Sequence, residues 1–198
     1  MLACCASCSS SPHGTALGGG YLSGGTFGIA PLRPGLQLGL LDVLLHNTTH
    51  QPITIDSITV PGKGIGTVIR VVKVEIAPFS VHGGVPGGAF NTYPPVEIVA
   101  GRCSEQALRP VHGYRMGPGA NVNVLVVIQA RSPGRYRVTH HVVDYTQGGT
   151  RYSQSITTGY TGSVARNVAS RPADPTQTRC LKSTGARLLP WFPSKVSS

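Results

Sequence analysis

The chain has 198 residues, with 17 lysines and arginines against seven acids and a formal charge of +10. Its 26 glycines, 16 prolines and charged fraction of only 12% disfavour a helical protein and fit short strands joined by turns. The length suits one domain with extensions, large enough to form a core without a structural metal. No run of about 18 or more apolar residues predicts a membrane-spanning helix.

The first residues match the end of a lipoprotein signal. In Met1-Leu2-Ala3-Cys4 a small residue precedes the cysteine, and a Ser/Gly-rich stretch follows to about Gly25. A complete signal also has a positive start and an apolar stretch of about 7 to 15 residues, and these do not precede Cys4 in this sequence. We therefore interpret residues 1–34 as a truncated signal or tether with Cys4 as the candidate lipidation site. A chance match in an unstructured tail is the alternative.

Residues 35–165 carry the β-strand signals. Short runs rich in apolar and β-branched residues are separated by turns rich in Gly, Pro and Asn. The predicted strands are Leu36 to Leu45, Ile53 to Val60, Thr67 to Ala77, Val96 to Ala100, and three runs between Asn121 and Tyr160. About seven strands with frequent turns predict an all-β antiparallel sandwich, flanked by flexible N-terminal and C-terminal extensions.

The last three runs give the clearest strand pattern. They are separated by Ser132-Pro133-Gly134 and Gln147-Gly148-Gly149, which contain the residue types that β-turns require. This spacing predicts a meander of three neighbouring strands. In the middle run, alternation assigns one face to Tyr136, Val138, His140 and Val142 and the other to Arg135, Arg137, Thr139 and His141.

The entry to that middle run resembles a known family. Ser132-Pro133-Gly134-Arg135-Tyr136-Arg137-Val138 is similar to the P-G-x-Y-x-V start of the penultimate strand in bacterial immunoglobulin-like domains, and Tyr136 resembles their tyrosine corner. A second likeness is the hairpin from Leu44-Leu45-His46-Asn47 to Gln51-Pro52-Ile53-Thr54-Ile55. The resemblance covers about residues 35–160 and implies an immunoglobulin-like sandwich. The chain lacks the inter-sheet Cys pair and the core Trp of antibody domains, and the resemblance implies no function.

Two of the five cysteines, Cys103 and Cys180, lie outside the N-terminal segment. A bridge between them would attach the basic C-terminal extension, residues 166–198, to the sandwich. Closing a loop of roughly 80 residues contributes about 4 to 5 kcal/mol in the chain-entropy model. Such a bridge persists only outside the reducing cytosol, so it predicts an extracytoplasmic protein. Two unrelated thiols are the alternative.

Apolar residues are concentrated near the C-terminus. The segment Leu188-Leu189-Pro190-Trp191-Phe192-Pro193 stands in an otherwise polar tail. It either packs on the sandwich near Cys180 or docks a partner or a membrane interface. In the second case Trp191 and Phe192 are the candidate partner-binding residues.

No catalytic motif is present, and we predict no enzyme, catalytic residue, metal or cofactor. The stretch Gly62-Lys63-Gly64-Ile65-Gly66-Thr67 reads as a hairpin turn and not as a phosphate loop. A carboxylate pair could arise only by tertiary convergence of the seven acids. Blue-copper ligand types occur in Cys103, His112 and Met116, with His82 upstream, but their spacing does not match the tight cupredoxin loop.

The positive charge is carried by thirteen arginines and four lysines. A basic surface attracts nucleic acid, anionic lipid or an acidic polymer alike. Nucleic-acid binders interleave aromatic residues with the cations on one exposed face. Because Tyr136 is predicted on the face opposite Arg135 and Arg137, nucleic acid is not the expected partner.

Together these features predict a noncatalytic binding or structural module of a bacterial cell envelope, exported or lipid-anchored. Its expected partner is an envelope protein or an acidic cell-surface polymer, with membrane contact through a lipid anchor. The alternatives are a copper-binding cupredoxin-like sandwich and an accessory domain of an envelope enzyme.

Overall fold

Alternating apolar residues on the long strands allow two β-sheets to pack face to face. The computed structural model describes residues 11–19, 25–78, 88–99, 102–105, 107–168, 180–181, 184 and 186–189. In chain order the strands are β1 (Leu17–Gly19), β2 (Thr26–Gly28), β3 (Gln37–Asn47), β4 (Ile53–Thr59), β5 (Gly62–Lys63), β6 (Ile69–Pro78), β7 (Gly88–Phe90), β8 (Thr92–Tyr93), β9 (Val96–Val99), β10 (Arg102–Glu105), β11 (Arg109–Pro110), β12 (Tyr114–Met116), β13 (Asn121–Ala130), β14 (Gly134–Val138), β15 (His141–Gln147), β16 (Thr150–Ile156), β17 (Gly159–Val164) and β18 (Arg187–Leu188).

The first sheet has the order β1-β3-β13-β6-β11, and β7 also pairs with β3. The second sheet consists of two halves that continue into each other along the chain. The β4 half has the order β12-β4-β15-β16, and the β14 half has the order β2-β17-β14-β5. Two short pairs, β9 with β10 and β8 with β18, complete the set. No helix long and apolar enough to cross a bilayer occurs in the part of the chain described.

This strand order is that of an immunoglobulin sandwich. The order β1-β3-β13-β6 corresponds to strands A, B, E and D of that fold, and β4-β15-β16 corresponds to C, F and G. Strand β2 pairs with β17 in parallel, whereas the other strand pairs are antiparallel. The predicted all-β immunoglobulin-like sandwich is confirmed.

Strand β13 lies at the centre of the first sheet and is buried on both faces. Its residues Val124, Val126 and Ile128 pack into the main core between the sheets. The alternate residues Leu125 and Val127 pack on the outer face of the sheet in a second, smaller cluster. A strand covered on both faces reads as a continuous apolar run, as this one does.

One predicted connection is wrong. The meander would require β13 and β14 to be neighbours, but β13 pairs with β3 and β6 in the first sheet, while β14 lies in the second. Residues 132–133 therefore cross between the sheets, because turn residues specify a reversal and not the hydrogen-bonding partner. The turn from β15 to β16 is confirmed: Gly148 and Gly149 have φ of 56° and 81°, as a two-residue hairpin turn of this type requires.

The face assignment of the two histidines in the middle run is also wrong. The run is interrupted at Thr139-His140, so that β14 and β15 are separate strands. The interruption shifts the inward phase by one residue: Tyr136 and Val138 point inward before it, and His141 and Val143 point inward after it. His141 is fully buried, whereas His140 is partly exposed.

Parts of both predicted extensions belong to the sandwich. Within residues 1–34, β1 pairs with β3, β2 pairs with β17, and Leu17 and Leu32 enter the core. Within residues 166–198, β18 pairs with β8. These edge strands have two or three residues, too few for an alternation that sequence analysis could detect. The expectation of flexible extensions is corrected for these segments.

Asn47 connects several chain segments where β3 ends. Its buried Nδ2 donates hydrogen bonds to the carbonyl oxygens of Gln51 and Gly117, both at 2.9 Å. Its Oδ1 accepts from the backbone nitrogen of Thr49 at 3.1 Å and from the Thr49 hydroxyl at 2.8 Å. The side chain thereby joins the β3–β4 turn to the segment before β13. Because the Asn47 side chain is fully buried, its role is to stabilise the fold.

Three polar aromatic side chains lie buried near the interruption in the second sheet. The ring centroid of Tyr160 lies 6.5 Å from that of Tyr136 and 6.2 Å from that of His141. Burial lowers the pKa of His141 from 6.5 to about 4, and the backbone of Thr158 offsets only part of this effect. Burial raises the pKa of the Tyr136 hydroxyl.

We expect acid to destabilise the fold through His141. Below pH 6.5 the unfolded chain binds a proton at His141 that the folded protein does not bind until about pH 4. The free energy of unfolding is therefore unaffected by His141 above pH 6.5 and falls by about 3 kcal/mol as the pH approaches 4. Urea unfolding between pH 7 and 4.5 should show this loss in the wild type and in the control His140→Leu, but not in His141→Leu. Equal slopes in all three proteins would contradict the prediction.

We expect Asn47→Ala to lower the free energy of unfolding by about 3 kcal/mol, because it removes several buried hydrogen bonds and leaves carbonyl groups unpaired. Asn121→Ala is the matched control, since the Asn121 side chain is exposed and its loss should change stability by less than about 0.5 kcal/mol. Chemical denaturation at pH 7 measures both. Similar effects of the two substitutions would show that the Asn47 network contributes little.

Candidate binding surfaces

The predicted disulfide between Cys103 and Cys180 is present, with an S–S distance of 2.10 Å and a Cα–Cα distance of 5.3 Å. It holds β18 close to β8, where Leu188 is opposite Thr92 and Leu189 donates its backbone N–H to the Asn91 carbonyl at 2.7 Å. We call the described residues of this segment, 180–181, 184 and 186–189, the C-terminal clip. Its covalent attachment lies beside a small buried cluster of Val96, Cys180 and Ala186.

The C-terminal clip covers apolar surface on the outer face of the first sheet. Leu189 is buried there against Leu41, Leu125 and Val127. The start of the apolar C-terminal segment thus packs on the sandwich, one of the two predicted alternatives. The candidate lipidation residue Cys4 and the candidate partner-binding residues Trp191 and Phe192 lie outside the described residues.

A groove of about 360 Å³ lies beside the clip, lined by Gln37, Val72, Lys73, Tyr93, Val127, Arg187 and Leu189. Lys73 forms an ion pair with Glu75 at 2.8 Å and bonds to the Tyr93 hydroxyl, which donates to Glu75 at 2.7 Å. The hydrogen bond to Glu75 raises the pKa of Lys73, and burial raises that of Tyr93. The main cation of the groove is therefore already paired within the protein.

Two carboxylates converge on the outer face of the β4 half. Arg151 lies 3.9 Å from Asp56 and 3.8 Å from Asp144. Each carboxylate also accepts a hydroxyl hydrogen bond, from Thr146 to Asp56 at 2.9 Å and from Ser57 to Asp144 at 2.8 Å. Because both acids are committed to a hydroxyl and a shared guanidinium, the arrangement is that of a structural ion-pair network. Strand pairing creates it, so the linear sequence gave no signal for it.

The copper ligands considered in the sequence do not form a copper centre. The sulfur of Cys103 is bonded to Cys180 and is not available as the thiolate that a blue-copper site requires. Met116 is buried in the main core, and His112 Nδ1 lies 3.2 Å from the carbonyl oxygen of Asp56. His82 lies outside the described residues. Within the described ranges no three metal-ligating side chains form a group.

The outer face of the β14 half carries cations. Lys63 in β5 is directly opposite Arg137 in β14, and Arg135 lies two residues earlier on the same face. All three side chains are exposed, whereas Tyr136 between the arginines points into the core. The predicted exposure of Arg135 and Arg137 opposite Tyr136 is correct. We call Lys63, Arg135 and Arg137 the basic face.

No acidic residue balances the basic face within its own strands. The sequences of β2, β5, β14 and β17 contain neither Asp nor Glu. Like charges directly opposite each other on paired strands are destabilising, so the Lys63–Arg137 pair is unfavourable in the isolated protein. Lys63 was missed because it was assigned to a hairpin turn; its pairing with β14 depends on a tertiary contact.

We expect the double variant Cys103→Ser, Cys180→Ser to release the C-terminal clip while leaving the sandwich folded. The clip is held otherwise by a two-residue strand pair and Leu189, so its local opening should become more frequent. Tryptic cleavage after exposed Arg187 should accelerate by roughly tenfold or more, corresponding to at least about 1.4 kcal/mol. Mass spectrometry measures the released peptide, with cleavage after Arg137 in β14 as the internal control. Unchanged cleavage after Arg187 would refute this role of the disulfide.

Comparison with known proteins gives distant structural likenesses. No family model matches the chain. No curated protein matches it either. A protease of Vibrio cholerae, VesB, has a TM-score of 0.36 at 9% identity over 75% of this chain and 32% of its own. A family 123 glycoside hydrolase from Clostridium perfringens has a TM-score of 0.37 at 12% identity over 74% of this chain and 24% of its own. The ASH/PapD-like domain 7 of human CEP192 has a TM-score of 0.34 at 11% identity over 80% of this chain and 92% of its own. The chain thus spans about a third or less of the two enzymes.

Proposed function

We propose that the protein is a noncatalytic binding or structural module that acts outside the cytoplasm, in a bacterial cell envelope. It is exported or anchored by a lipid at Cys4. The observation that carries the proposal is the Cys103–Cys180 disulfide, which joins the C-terminal clip to the sandwich.

The disulfide supports an oxidising location because glutathione and thioredoxin keep cytosolic thiols reduced. Here the bond connects the β9–β10 pair to a terminal segment whose own pairing is only two residues long. In the cytosol both cysteines would stay reduced, and the C-terminal clip would be held only weakly over the apolar residues Leu125 and Val127.

The polar clusters support a binding role without catalysis. Asp56 and Asp144 share Arg151, and Glu75 is occupied by Lys73 and Tyr93. Catalytic acids and bases need an environment matched to proton transfer, whereas these groups neutralise one another. The three exposed cations of the basic face lie on strands that contain no acidic residue, and this surface is suited to recognition.

The test is a nonreducing peptide map and intact mass of the protein isolated from its own cells and alkylated at harvest. Alkylation blocks free thiols, so a Cys103–Cys180 linkage formed during lysis is excluded. We expect a linked Cys103–Cys180 peptide together with a processed N-terminus or an acylated Cys4. An unprocessed Met1 with alkylated Cys103 and Cys180 would overturn the extracytoplasmic assignment.

A further inference from the structure

We propose that the basic face binds a linear acidic polysaccharide whose negative groups are carboxylates. The inference rests on the proposed binding role and is independent of where the protein is located. It concerns three exposed side chains, Lys63, Arg135 and Arg137, on two paired strands of the β14 half.

The spacing of these cations suits repeated contact with one extended chain. Residues directly opposite on paired strands have Cβ atoms about 5 Å apart, which applies to Lys63 and Arg137. Residues two apart on one strand are separated by roughly 6.6 Å, which applies to Arg135 and Arg137. An arginine guanidinium can bind a carboxylate through two parallel hydrogen bonds. The face therefore offers two planar forks and one point charge within a short length.

Charge complementarity gives the main reason for an anionic partner. An anion held between Lys63 and Arg137 would replace their mutual repulsion with two attractions. Two further exposed arginines lie at the end of the sandwich next to this face: Arg131, which donates to the Gly66 carbonyl at 3.1 Å, and Arg166, just after β17. The positive potential thus continues beyond the three residues.

The neighbouring side chains favour a hydroxylated polymer. Arg135 is opposite Ser163, and Arg137 is opposite Thr161, so a hydroxyl-bearing residue of β17 lies across from each arginine on the same face. A polysaccharide that carries carboxylates presents both acidic groups and hydroxyls to such pairs.

The same face lacks the features of other anion-binding surfaces. Single-stranded nucleic acid is held by stacking on exposed aromatic rings, but Tyr136 and Tyr160 are both buried. Insertion into a lipid surface requires exposed apolar side chains. Among the described residues the exposed large hydrophobic residue is Val72, which belongs to β6 in the other sheet.

The test uses a polyuronate oligosaccharide of defined length as the probe, with affinity measured by isothermal titration calorimetry at low and physiological salt. The triple variant Lys63→Gln, Arg135→Gln, Arg137→Gln should bind at least about tenfold more weakly, because three favourable charge contacts are removed. Wild-type affinity should fall as salt increases. Thermal unfolding of the variant should remain at or above the wild-type temperature, since a like-charge pair is removed.

The matched control removes the same charge from other surfaces: Arg70→Gln, Arg109→Gln, Arg115→Gln. All three residues are exposed and lie in β6, β11 and β12. The control should retain affinity within about twofold of the wild type at physiological salt, because its three arginines lie on strands that do not form the basic face. A similar loss in both variants would overturn the proposal in favour of a general charge effect.

A second probe separates the polymer classes. A single-stranded oligonucleotide with the same number of charges should bind more weakly than the oligosaccharide, and tighter binding of the oligonucleotide would overturn the proposal. Absence of oligosaccharide binding by the wild type at low salt would overturn it as well. The peptide map remains a separate measurement: binding with an unprocessed, reduced protein would refute export while supporting this inference.

Discussion

The hydrogen bonds of Asn47 are the interaction on which the two-sheet arrangement depends most directly. They join the end of β3 in the first sheet to the turn that enters β4 in the second, and to the segment that precedes β13. Thr49 extends the connection, because its hydroxyl accepts a hydrogen bond from Gln147 at 2.9 Å, where β15 ends. One buried amide therefore coordinates four chain segments, and neutral hydrogen-bonding groups achieve this without the desolvation cost of buried charges.

The first sheet is stabilised from both sides, and the second is not. Strand β13 packs inward through Val124 and Val126 and outward through Leu125 and Val127, under the C-terminal clip. The outer face of the second sheet instead carries charged residues open to solvent. The disulfide attaches the segment that covers the first sheet, whereas the charged outer face of the second sheet stays exposed to solvent.

The sequence was sufficient for the fold class because long strands, turn residues and the β15–β16 hairpin depend on local chemistry. It was insufficient where tertiary contacts determine which strands pair and which side chains point inward. The sheet to which β14 belongs, the inward position of His141 after the break at Thr139-His140, and the edge strands of two or three residues have no local signal. The candidate site was not predicted: alternation gives the exposure of Arg135 and Arg137, but the sequence named Trp191 and Phe192 as partner-binding residues, and Lys63 joins the arginines only through strand pairing.

The interruptions in the second sheet have a consequence for its electrostatics. They lie side by side, between β4 and β5, between β14 and β15, and between β16 and β17. A line of breaks across neighbouring strands divides the outer surface into two panels. One panel contains Asp56 and Asp144 together with Arg151 and Arg115, and the strands of the other panel carry cations without acids. The excess positive charge of the sheet therefore lies toward one end of its strands, which would orient a negatively charged chain before the first contact is made.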